Sequence, residues 1–133
     1  WLTPQAFTYS IADLDADYPT FTEFRCMIYS AIANGCRGFY PYLYFDHFNS
    51  LDLRLGCDFI YETLASLDPF LLSPAQPCPV KVDAPENGVD VWIKKVDGKV
   101  LLIAVNVLDK ELDANISSGF SLTAFSSGLM AFS

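Results

Sequence analysis

Three prolines fall within the seven residues Ser73-Pro74-Ala75-Gln76-Pro77-Cys78-Pro79, and the hydrophobic period differs on their two sides. Proline fixes φ and has no N–H to donate, so neither a helix interior nor a central strand runs through such a stretch. The spacing therefore divides the chain into a part spanning 1–73, a linker at 74–79, and a second part spanning 80–133.

In the first part, 1–9 is apolar and aromatic with Pro4 inside it, which suits a short strand at a sheet edge better than a helix. Thr20-Phe21-Thr22-Glu23 has the spacing of a capping box, and Phe21, Phe24, Met27, Ile28, Ala31 and Ile32 then recur at three and four residues. A helix is predicted to start there and to stop at Asn34-Gly35, the pair best able to adopt a left-handed conformation. Residues 38–45 alternate, with Tyr40, Tyr42 and Tyr44 on one face and Phe39, Leu43 and Phe45 on the other, which predicts a strand buried on both sides. A polar loop leads to a second helical pattern through Phe59, Ile60, Leu64 and Leu67, closed by Asp68-Pro69. The order is strand, helix, strand, helix.

In the second part, Val89–Val96 and Lys99–Asn106 flank Asp97-Gly98, whose tolerance of positive φ predicts a two-residue type I′ hairpin. Residues 112–117 alternate again, and 119–133 reads as weaker strand. This part is expected to be antiparallel and to pack against the last helix.

Charge narrows the partners. Sixteen acidic residues against eight basic ones leave a net charge of −8, a field that repels phosphate backbones and anionic bilayers. Charged residues or proline interrupt every apolar run before the roughly 18 residues needed to span a bilayer. Nucleic acid and membrane are therefore not expected as partners. The opening at Trp1, with neither Met nor a signal-like segment, reads as that of a fragment or a processed piece. Cys26, Cys36, Cys57 and Cys78 lie far apart with one His in the chain, so no zinc site is expected; buried free thiols and a disulfide framework are both open.

The pieces WLTPQAF, PTFTEFRCMIYSAIANGCRGFYPYLYF and the helix ending LDPFLL together resemble the last two strand-helix units of a (β/α)8-barrel glycoside hydrolase. VDVWIKKVDGKVLLIAVN resembles the small β-sandwich that follows such barrels. The resemblance implies an α/β part followed by an all-β part, a truncated (β/α)8 barrel end with a small antiparallel β-sandwich domain. It implies a fragment of an enzyme hydrolysing glycosidic bonds, without a cofactor, that needs the missing N-terminal part of the barrel as its partner and is not competent alone. Such enzymes use two carboxylates, about 5 Å apart or roughly 6.5 to 9.5 Å apart according to outcome. Where the family often has a catalytic Glu, near the end of the seventh strand, this sequence has Gln5, an amide that is neither nucleophile nor base. No catalytic residue is assigned.

Barrel enzymes react at the C-terminal ends of their strands, so the candidates for carbohydrate binding are Gln5, Tyr9, Tyr44, Asp46 and His47. Each has a plainer reading: the tyrosines as barrel filling, Gln5 as a loop cap, and His47 as a surface residue. Asp13, Asp15 and Asp17 open like a calcium loop, but Tyr18 and Phe24 stand where Gly and Glu belong, so they read as solvated carboxylates. Trp92 suits either a sugar platform or packing between the two parts, and Asn115-Ile116-Ser117 matches a glycosylation sequon. The rival to the enzyme fragment is a non-catalytic carbohydrate-binding or structural interaction module, which would bind glycan as the isolated chain.

Overall fold

A computed structural model describes residues 1–6, 18–42 and 50–118. It contains helices α1 (Phe21–Ala33), α2 (Leu51–Ser66) and α3 (Asp68–Leu71), and strands β1 (Val80–Asp83), β2 (Val89–Val96), β3 (Lys99–Asn106) and β4 (Asn115–Ser118).

The predicted capping box starts α1. Glu23 N donates to Thr20 Oγ1 at 3.2 Å, and Thr20 N donates to Glu23 Oε2 at 2.7 Å. Two orphan donors at the helix start are thereby satisfied by two side chains three residues apart, at the N-cap and the third helical position. Gly35, at φ +90°, turns the chain away after Asn34. Phe24, Ile28, Tyr29 and Ile32 form the buried stripe of α1, each worth roughly 1.5 to 3 kcal/mol of burial if Tyr29 is counted by its ring. α2 is capped by Ser50 and buries Leu53, Gly56, Cys57, Ile60 and Leu64 on the side facing α1. Leu51, Leu55 and Phe59, at i, i+4 and i+8 on the same helix, stay exposed.

β2 and β3 pair antiparallel from Val89↔Asn106 to Val96↔Lys99, and Asp97 and Gly98 both have positive φ, as a type I′ turn requires. Leu101, Ile103 and Val105 alternate inward from β3 and join Trp92 of β2 in the core that α1 covers. Trp92 is therefore a packing residue, with Lys94 Nζ 5.5 Å from the centre of its ring. Ser30 of α1 donates its hydroxyl to Asp90 Oδ2 on the same sheet face. The hairpin thus lies mainly on α1, with α3 touching β2, rather than on the last long helix. β1 pairs antiparallel with β4 in a separate two-stranded sheet. The linker is fastened at both ends to β2: Lys94 Nζ donates to Ser73 O at 2.6 Å, and Cys78 N donates to Ile93 O at 2.7 Å.

This arrangement corrects the expected fold class. The truncated (β/α)8 barrel end with a β-sandwich is not what the described residues form; they form three helices and two small two-stranded antiparallel sheets, with no barrel closure. Among the described residues, the parallel pairing of the two N-terminal segments consists of isolated bridges, Leu2↔Phe39 and Gln5↔Tyr42. Pro4 is the physical reason. Leu2 N bonds Gly38 O, Tyr40 N bonds Leu2 O, Tyr42 N bonds Pro4 O, and Ala6 N bonds Tyr42 O. The bond missing from this regular sequence is the one that an N–H at position 4 would give to Tyr40 O, and proline has no N–H. One absent donor splits what would be a short continuous strand pair. In the second part, β1 takes β4 as its neighbour while β2 takes β3, so the four strands form two ribbons instead of the faces of one sandwich.

Candidate functional site

Because side chains alternate along an extended chain, the parallel pair has two unlike faces. Pro4, Ala6 and Pro41 are buried inward. Thr3 and Gln5 point the other way, opposite Tyr40 and Tyr42, which are 64% and 50% exposed. Trp1 continues the row beyond Thr3. Its indole lies against Gly38, where an added Cβ would come 3.0 Å from Trp1 Cε3 and Cζ3, so the absence of a side chain at position 38 is what lets the ring rest on the backbone. Trp1 itself is 98% exposed. Successive members of the row, at alternate positions of an extended chain, stand about 6.6 Å apart. The result is an open face bearing three exposed rings, an amide and a hydroxyl, and none of these five side chains is a carboxylate.

At the Trp1 end the face runs into a cleft of about 310 Å³ between the ends of the pair, α1, α2 and α3. Phe39 and Tyr61 form one wall, stacked with ring centres 5.4 Å apart and planes inclined by 17°. Leu64, Leu71 and Leu72 extend the apolar lining, and Arg37 and Asp68 supply its charges. Among the described residues no carboxylate pairs with the Arg37 guanidinium. Lys94 lies near enough to Arg37 to feel its charge: burial, and then Arg37, hold its ammonium below the usual lysine range.

Of the residues expected from sequence to bind carbohydrate, Gln5 sits in the open face. Tyr9, Tyr44, Asp46 and His47 lie outside the described residues, as do Asp13, Asp15 and Asp17. Sequence reasoning missed Trp1, Arg37, Tyr61 and Asp68. The alternation that placed Tyr40 and Tyr42 together also places Trp1 with Thr3 and Gln5, and was the available signal for that residue. Nothing in the sequence brings Arg37, Tyr61 and Asp68 together, because the cleft is assembled from the ends of three helices. Among the described residues no group of His, Cys, Asp and Glu is placed to hold a metal ion, and no helix is long and apolar enough to cross a membrane.

Compared with protein-family models, with curated proteins and with solved structures, the chain finds no match.

Proposed function

We propose that the chain is a carbohydrate-binding portion of a glycan-processing protein, contributing recognition through the open face rather than bond cleavage. The observation that carries this reading is the row Trp1, Tyr40 and Tyr42 beside Gln5 and Thr3. Pyranose rings present apolar C–H faces and rims of hydroxyls. Flat aromatic surfaces answer the first, and an amide that both donates and accepts answers the second. Spacing along the row suits a chain of sugars lying across it better than a single enclosed ring. The resemblance to barrel glycosidases supplies the same substrate class, although the barrel itself is not carried over.

The test is titration of the chain with a panel of neutral tetrasaccharides, followed by tryptophan fluorescence. Trp1 is exposed and Trp92 is buried, so a blue shift or quench on binding reports on Trp1. Binding by at least one member is expected, and Tyr40→Ala with Tyr42→Ala should weaken it by about tenfold to thirtyfold, at roughly 1 kcal/mol per ring. Absence of binding across the panel overturns the reading. Release of nitrophenol from aryl glycosides by this chain would replace it with the hydrolase that the resemblance implies.

A further inference from the structure

The row of rings ends at Trp1, and Trp1 also lines the cleft in which Arg37 stands next to Gly38. We propose that the ligand is an acidic glycan, carrying one carboxylate on a terminal hexuronic acid that seats against Arg37. This rests on the carbohydrate reading above and adds the class of sugar.

Three observations support it. Arg37 is exposed within the cleft, and among the described residues no carboxylate pairs with it, so its planar fork is open to a bidentate partner. Asp68, the acidic residue of the cleft lining, accepts well from sugar hydroxyls. The surrounding chain, at −8 overall, repels a ligand charged along its length, which leaves a single carboxylate at this end as the acceptable pattern. The apolar wall of Phe39 and Tyr61 gives the terminal ring a surface to rest on, and about 310 Å³ falls within the range of small-ligand sites.

The experiment takes each neutral tetrasaccharide of the panel and the same compound with its terminal sugar oxidised at C6 to the uronic acid. Isothermal titration should find the oxidised form at least about tenfold tighter, the scale of one charge-assisted hydrogen-bonded pair. The advantage should shrink in about 0.5 M salt. Arg37→Gln should abolish the advantage, bringing its affinities for the two forms within about twofold of each other, and Arg37→Lys should keep part of it. Equal affinities for the two forms, or an advantage that survives Arg37→Gln, overturn this inference and leave the carbohydrate reading standing. Binding of neither form removes both.

Discussion

The ring of Phe21 occupies the space that a side chain at Gly56 would need: a Cβ there would lie 2.2 Å from Phe21 Cδ2. Two effects oppose each other at this position of α2. Glycine inside a helix costs about 1 kcal/mol relative to alanine, so propensity alone favours replacement. Overpacking at a close helix–helix contact costs typically 1 to 3 kcal/mol. The clash is with the near side of the ring, so packing should win, and Gly56→Ala should lower stability by about 1 to 2 kcal/mol in urea unfolding. Adding Phe21→Leu should recover part of the loss. A Gly56→Ala variant as stable as the parent would mean that the ring turns aside freely.

Pro4 offers a separate test. Replacing it with alanine supplies the donor that the parallel pair lacks. The hydrogen bond gained, about 0.5 to 1.5 kcal/mol, is offset by about 0.4 to 1 kcal/mol for the greater freedom of the unfolded chain. Stability of Pro4→Ala should therefore change by less than about 1 kcal/mol. The new amide at position 4 should be protected from hydrogen exchange, and exchange at the rate of an open loop would refute the ladder argument.

The Thr20 and Glu23 box has both a stability and a pH signature. Thr20→Ala should cost about 1 kcal/mol. Hydrogen bonds from the Thr20 backbone N–H and then from its hydroxyl hold the Glu23 carboxyl below the usual glutamate range. The folded value lies below the unfolded one, so the contribution is fully present above the ordinary value of about 4.3 and is lost as pH falls through the folded value. Stability measured across that acidic window should fall less steeply in Glu23→Gln than in the parent. Parallel curves would show that the box contributes nothing measurable.

Cys57 should be the slowest thiol to react. Burial, with Asp58 adding to it, pushes its pKa up to about 11. At pH 8 roughly one molecule in a thousand then carries the reactive thiolate, and the sulfur is also covered. Timed alkylation followed by peptide mapping should find Cys36 and Cys78 modified before Cys57. Cys57 labelling at a rate matching the half-buried thiols would contradict the packing of α2.

What was legible in the sequence is what is decided locally. The start of α1 is set by Thr20 and Glu23, three residues apart, and its end by Asn34-Gly35. The hairpin is set by Asp97-Gly98, whose backbone preferences do not depend on the rest of the chain. Pairings between distant segments were less so. β1 and β4 meet through Val82↔Ile116, and neither short strand carries a pattern that names its partner. Pro4 was visible, but its effect depends on Tyr40 lying opposite the gap, which only the register reveals. The face holding Gln5, Tyr40 and Tyr42 could be reached from alternation, whereas Arg37 and Asp68 line one cleft only because the segment after α1 and the start of α3 both border it.

The linker, finally, behaves as a clasp. Ile93 and Lys94 are neighbours on one strand, yet one grips the segment at Cys78 and the other at Ser73, across the prolines. A protease that severed the backbone at Gln76 would therefore release neither end, since each stump would stay hooked to the same short length of β2. The place where the sequence most plainly changes character is also where the chain is stitched back on itself.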